Sequence, residues 1–405
     1  MIEIRDKHLC CGCAACEQCC SKHCITMEED EEGFLYPNVD KTICINCGLC
    51  VKVCPIINQT EKSEPLCVYA AKNRNERQRL ESSSGGVFVA LAEMIILDGG
   101  VVFGAAYDEK WQVIHKYVDT IDDLSSLMRS KYVQSRIGST YMQCEQFLKK
   151  GRSVMFTGTS CQIKGLKHYL RKEYDNLFTI DVICHGAPSP GVWRKYLSEE
   201  ISRYSARSTI IGKNTLFSSS KLMPIITSIN CREKNGFSWE KFGFVLQCTP
   251  ISRFNKNLVL FSDIFYKNPF MNGFLSNLIL RPSCYCCPAK SGRSGSDLTL
   301  ADYWGVSKVH SDFYDTKGVS LVIVHNLKGK ERIKKVGLDL CKSSLDYALL
   351  GNPSYSCSVN EPSKRAAFFE AFSLGNSVIS TIDRLLYIPL YVRIMNKFKR
   401  LFYLL

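Results

Sequence analysis

The chain has 405 residues, 45% of them hydrophobic, and a formal charge of +13, enough chain for two or three domains around a sizeable core. Half of its 22 cysteines fall in the first 54 residues, and no charged-then-apolar leader with a small-residue cleavage site precedes them, so secretion and a disulfide framework are not expected. Reduced thiols in a cytoplasmic protein are the expectation. The charge divides unevenly: residues 1–60 carry 5 Lys/Arg against 9 Asp/Glu, and the remainder 47 against 30. A basic body of this kind suits anionic cofactors, acidic carrier proteins or a membrane surface. No aromatic-interleaved basic groove or recognition motif points to nucleic acid, which is not expected as a partner.

Residues 1–60 form a loop-rich module too small for an ordinary core, so bound metal would have to supply its folding free energy. Cys44, Cys47, Cys50 and Cys54, followed by Pro55, give the C-x-x-C-x-x-C-x-x-x-C-P spacing of bacterial-type ferredoxins. Cys10, Cys13, Cys16 and Cys20 repeat it 34 residues upstream. In such a duplication the fourth cysteine of each run serves the other cluster. Cys10, Cys13 and Cys16 with Cys54 would hold one 4Fe-4S cluster, and Cys44, Cys47 and Cys50 with Cys20 a second. Structural zinc is the alternative use of C-x-x-C thiolates, but three cysteines in successive steps of three, done twice, favour clusters. The first run has Ser21 where proline is expected, and Cys11, Cys19 and Cys24 crowd it; Cys19 competes with Cys20 as a ligand. Asp30–Pro37 reads as an exposed connection, and Glu61–Pro65 as a linker.

The pattern then changes to alternating strands and helices. Leu66–Ala71, Val101–Tyr107, Ser153–Phe156 and Leu177–Ile183 read as strands, the last two continuous apolar runs suited to burial on both faces. Gly86–Asp98, Thr140–Lys150 and Cys161–Leu170 read as helices, and 209–260 as antiparallel hairpins. The expected fold class is α/β, α+β overall: a small two-cluster ferredoxin domain followed by a larger body with a mixed sheet. The expected divisions are 1–60, 65–150, 151–330 and a helical, basic amphipathic tail at 331–405. Arg393, Lys397, Lys399 and Arg400 in that tail would lie on an anionic membrane, or form the solvated face of a packed helix.

Several body residues invite a chemical reading. Cys161 and Cys184 each follow a strand, where open α/β sheets place their sites. Cys284 and Cys287 form a further C-x-x-C pair, with Cys286 between them. Four ligands result, although buried free cysteines account for the same spacing. Ser82, Ser83, Ser84, Gly85 and Gly86 open a helix, as a phosphate site or as a simple cap. Tyr303 and Trp304, in an aromatic turn, would stack on a planar cofactor or belong to the core. Lys131 would meet a phosphate or anionic substrate, or water. His185 and Asp302 are candidate catalytic proton donors, with structural hydrogen bonding as the alternative.

In order along the chain, both cysteine runs, Ser82–Phe88, Ser130–Ser135, Thr157–Gln162, Cys184–Gly186, Arg281–Cys287 and Ser296–Gly305 resemble the coenzyme F420 hydrogenase/dehydrogenase beta-subunit family, in its bacterial form with a fused ferredoxin domain. The resemblance implies a flavin-binding body with FAD near the Ser/Gly loop and a third 4Fe-4S cluster at Cys161, Cys184, Cys284 and Cys287. It also implies an oxidoreductase relaying electrons between clusters and flavin. Its redox partner would be a ferredoxin or another oxidoreductase subunit. Its substrate would be a small molecule such as coenzyme F420 or a lipid-linked surface-polysaccharide intermediate. Ser160, in place of the family's usual proline, and Cys286 depart from the pattern without removing a ligand.

Overall fold

A computed structural model describes residues 1–211, 225–249 and 258–389. Its strands are β1 (Ile25–Glu29), β2 (Leu35–Val39), β3 (Cys67–Asn73), β4 (Val101–Tyr107), β5 (Val113–Val118), β6 (Val154–Thr159), β7 (Leu177–Val182), β8 (Ile226–Glu233), β9 (Gly243–Cys248), β10 (Leu258–Ile264), β11 (Leu298–Asp302), β12 (Ser320–Val324) and β13 (Leu338–Ser343). Eight of them form one mixed sheet in the order β13-β3-β12-β11-β7-β6-β4-β5. Its centre, β11-β7-β6-β4, is parallel, and the strands outside it pair antiparallel.

The parallel centre follows from its residues. Val154, Met155 and Phe156 are all wholly buried, because both faces of the sheet are covered. Met155 packs with Val102 on the side of the helix Val87–Leu97, while Phe156 packs with Val101 and Phe103 on the opposite side. On that second side the helices Thr140–Lys149 and Ser160–Leu170 join the sheet to the N-terminal module: Ile2, Ala15, Val53 and Ile56 share a core with Tyr141, Ile163 and Leu166. The module is therefore supported by body packing as well as by its cysteines, which sequence alone did not suggest.

Other boundaries also change. β4 pairs with β6 across residue 150, as two parts of one body would, and β13 pairs with β3 across residue 330, which draws part of the expected tail into the same sheet. The segment expected to be a helical tail from 331 begins with the end of the helix Leu327–Lys334 and then runs as the sheet-edge strand β13, with the helices Arg365–Ser373 and Val378–Leu386 further on. The 30–37 connection is not exposed throughout: Phe34 is wholly buried and Glu32 pairs with Arg365 at 2.5 Å. Gly33, at φ +81°, lies so close to Gly191 that a Cβ would stand 2.5 Å from its Cα, so the turn requires glycine here. The 61–65 linker is pinned as well, since the Ser63 hydroxyl donates to the Gly292 carbonyl at 3.0 Å.

The hairpin reading of 209–260 holds where it is described, with β8, β9 and β10 forming an antiparallel sheet. Residues 390–405, including Arg393, Lys397, Lys399 and Arg400, lie outside the described residues, and with them the expected membrane contact. Among the described residues no helix is long and apolar enough to cross a membrane.

Candidate iron–sulfur and cofactor centre

The two cysteine runs fold alike. Gly12 and Asn46, and then Ala14 and Gly48, take left-handed φ values of +67°, +53°, +57° and +75°. These turns lead into the short helices Ala15–Gln18 and Leu49–Lys52, which carry Cys16 and Cys50. Alternating backbone of this kind turns N–H groups toward an anion. One cavity is lined by Cys10, Cys11, Cys13, Cys16 and Cys54, and a second by Cys20, Cys24, Cys44, Cys47 and Cys50. Each run thus contributes its last cysteine to the other run's cavity.

Among the described residues no three His, Cys, Asp or Glu side chains stand close enough to grip a single metal ion. The ligands of a cubane stand farther apart than those of a lone ion, so the lack of a close triad does not exclude a cluster in either cysteine-lined cavity. In the sequence Cys11 and Cys24 read only as crowding thiols, and Cys19 as a competitor of Cys20. Cys24 Sγ lies 3.3 Å from Cys20 Sγ, and burial pushes the Cys19 thiol up to about 12. Burial also raises Cys16, so binding metal there must release protons.

Parallel pairing sets the carboxyl ends of β6, β7 and β11 side by side. Cys161 lies in the first turn of the helix Ser160–Leu170, after β6, and Cys184 lies just past β7. The short helix Pro282–Cys286 delivers Cys284 and Cys287 to the same region. The thiols influence one another electrostatically: Cys284 feels Cys184, Cys287 and Cys161, and Cys184 feels Cys161 and Cys287. Cys284 Sγ also accepts the Ala187 N–H at 3.3 Å. Cys286 is exposed, with its Sγ 3.8 Å from the His8 carbonyl, and turns away from this group. Cys161 packs against the same cluster as Cys11 and Cys13, and so lies beside the inner ferredoxin cavity. Beside them the Lys164 amine is buried without a hydrogen-bond partner among the described residues. A bare cation facing thiols fits a polyanionic cluster.

The Ser/Gly loop is differently disposed from the expected phosphate cradle. Ser82 donates to the Gln78 carbonyl at 2.7 Å and Ser84 to the Val319 carbonyl at 3.0 Å, so both hydroxyl protons hold the loop itself. Ser83 Oγ accepts the Ser130 N–H at 2.8 Å, which joins the loop to the Lys131 segment. Gly85 N–H donates to Ser320 Oγ, and Gly86, at φ +80°, opens the helix Val87–Leu97. Lys131 donates to the Met128 carbonyl at 2.7 Å, and burial pulls it down to about 7.

Cations missed in the sequence gather behind this loop. Lys234 donates to the carbonyls of Arg79, Ser84 and Lys317, and burial lowers it also to about 7. Arg232 forms a buried ion pair with Asp302 and donates to Tyr132 Oη at 3.3 Å. Arg232 Nε, Asp302 Oδ1 and Trp239 Nε1 are buried without partners among the described residues. Trp304 stacks on Trp239 at 5.3 Å, and the Arg232 guanidinium lies 5.6 Å from the Trp304 ring centre. These unmet polar atoms beside an aromatic face suit a planar, polar ligand.

Three sequence expectations need correction. Tyr303 is wholly enclosed in the core and bonded to Ser343, so it has no open face for a cofactor. Asp302 serves Arg232 as an acceptor, which is not the posture of a proton donor. His185 gives Nε2 to Asn277 at 2.7 Å, and burial lowers its pKa. The stacked rings of Tyr132 and Phe274 stand between His185 and the Arg232–Asp302 pair.

The sheet and the paired cysteine cavities belong to a chain that is similar to iron–sulfur proteins of the oxidoreductase type. Residues 151–339 match the family described as the C terminus of the coenzyme F420 hydrogenase/dehydrogenase beta subunit, and residues 37–56 match the 4Fe-4S binding domain. The chain carries that family's C-terminal domain beside a ferredoxin motif. It is 25% identical over 191 residues to the coenzyme F420-dependent sulfite reductase of Methanocaldococcus jannaschii, a match spanning 46% of this chain and 29% of that protein. A chain of the F420-reducing [NiFe] hydrogenase complex from Methanosarcina barkeri aligns at 15% identity and TM-score 0.40, over 80% of this chain and 92% of that one.

Proposed function

We propose that the chain is an iron–sulfur flavoprotein that relays single electrons between a ferredoxin-like carrier or an oxidoreductase partner and an organic substrate. The observation that carries the reading is that Cys161 packs against the cluster holding Cys11, Cys13, Cys16 and Cys54, which sets the body thiols beside the Cys10 cavity. FAD, when bound, would convert one-electron arrivals into hydride-equivalent transfer. Ser83, Gly86 and Lys131 would border its diphosphate, with Gly85 and Lys234 holding the loop behind them, and Trp304 with Arg232 would receive a planar ring. Substrate positioning would then contribute most of the catalysis, with few side chains forming covalent bonds. Coenzyme F420 is one candidate substrate, and a surface-polysaccharide intermediate is the other. A cytoplasmic location goes with this reading.

Anaerobic purification with iron, sulfide and flavin assays tests it. Three cubanes require about twelve iron atoms per chain, with one FAD. Iron near eight without flavin would remove both the body cluster and the flavin. A second reading, an electron-transfer part whose substrate site lies on a partner, is favoured by the match spanning only 29% of the sulfite reductase. Turnover by the isolated protein would decide against that second reading.

A further inference from the structure

Two cations are buried where the module meets the body, and neither forms an ion pair among the described residues. Arg281 is 1% exposed. Its Nε donates to the Cys10 carbonyl at 2.7 Å, one terminal nitrogen to Gln134 Oε1 at 3.1 Å, and the other to the Leu35 carbonyl at 2.9 Å and to Cys10 Sγ at 3.5 Å. The Tyr36 ring packs 4.2 Å from the guanidinium. Gln134 in turn donates to the Cys11 carbonyl at 3.0 Å, so the arginine is held against the inner cavity from two sides.

Lys164, also 1% exposed, leaves the helix Ser160–Leu170 one turn after Cys161. Its amine has no hydrogen-bond partner among the described residues; burial lowers its pKa, the nearby Arg293 adds to that, and the thiols of Cys11, Cys287 and Cys54 oppose it. Those three residues belong to both sides of the joint: Cys54 and Cys11 line the inner cavity, and Cys287 belongs to the body group. A buried charge is strongly unfavourable unless an opposite charge faces it. A thiolate-bound cubane supplies that charge, and gains one more negative charge on reduction. A fixed cation in a low-dielectric interior therefore favours the reduced form.

We propose that Lys164 and Arg281 set the reduction potentials of the inner clusters, so that the Cys10 set and the body set accept an electron more readily than the Cys44 set. Electrons entering at the outer cavity, whose Cys47 is exposed, then run inward. The inference rests on the cluster reading above. It adds a direction that the cysteine spacing does not contain.

The test is an EPR-monitored redox titration of the full chain purified anaerobically, with the outer cluster identified by its loss in Cys47→Ser. Lys164→Met and Arg281→Gln should each change the reduced-to-oxidised ratio of an inner cluster about tenfold toward the oxidised form at fixed potential, which is 59 mV for a one-electron couple. The outer midpoint should stay in place, and Lys164→Arg should restore the inner one. If Arg281→Gln loses iron, Gln134→Glu sets a carboxylate against the guanidinium and should produce the same downward shift. Inner midpoints unmoved with iron intact, an equal shift of all clusters, or iron lost alike from Lys164→Met and Lys164→Arg would overturn the proposal. A wild-type chain without iron and sulfide would instead defeat the cluster reading itself.

Discussion

Cys54 and Cys20 are the residues on which the wiring turns, because each lines the cavity of the other run. Cys54→Ser should leave the same surviving EPR signal as Cys13→Ser, and Cys20→Ser the same as Cys47→Ser, with up to about four iron atoms lost in each case. If Cys54→Ser instead matched Cys47→Ser, each run would hold its own cluster. This pairing was legible in the sequence because a spacing of three, three and four residues is a local constraint. What surrounds the thiols was not legible. Cys161 packs against the cluster of Cys11 across 150 residues of chain, and Arg232 lies on, and Lys234 just past, a strand with no motif, so only the assembled sheet reveals them. Tyr303 misled for the complementary reason. An aromatic residue at a strand end looks the same in sequence whether it faces a cofactor or a core, and here Ser343 and the surrounding apolar side chains enclose it.

At the scale of one element, the helix Ser160–Leu170 does the most to join module to body. A capping box starts it, with the Thr159 side chain meeting the backbone of the first turn and Gln162 Oε1 accepting the Thr159 N–H at 2.9 Å, which fixes where Cys161 falls. Further along, Gly165 lets the module approach: a Cβ there would stand 2.9 Å from Cys13 Cβ and 2.9 Å from Tyr141 Oη. Helix propensity alone favours alanine over glycine by about 1 kcal/mol. Overpacking a filled contact costs about 1–3 kcal/mol, so the contact should win. Gly165→Ala should therefore lower the melting temperature and reduce iron retained on gel filtration, and a raised melting temperature would mean that the interface yields. The strand-and-helix order was readable from apolar runs and their period. The docking of this helix on Cys13 was not, because it depends on two surfaces meeting and one missing side chain.

Across the whole molecule, the acidic module and basic body meet through ion pairs such as Glu29–Arg194 and Glu32–Arg365, while the interior is tied by neutral polar groups that acid would charge. His115 shows the consequence most clearly. It is buried in β5, its Nε2 lies 3.0 Å from the Thr157 carbonyl and must carry the proton, and its Nδ1 accepts from the Ser135 hydroxyl at 2.8 Å. Ser135 Oγ also accepts from Gln162, so this one ring braces the loop, the sheet and the helix that carries Cys161. Burial, reinforced by Lys131, pulls His115 down to about 4. The unfolded chain therefore binds a proton that the folded chain refuses between about pH 6.5 and pH 4, and folding stability falls as pH drops through that window. The difference amounts to about 3 kcal/mol, fully lost only below the folded value. His168, also lowered by burial, adds a loss of the same sign. Denaturant titrations at about pH 7 and about pH 5 should show a smaller loss for His115→Gln than for wild type, with the variant less stable at the higher pH because glutamine does not reproduce both hydrogen bonds. An unchanged slope in the variant would place the acid sensitivity elsewhere in the fold.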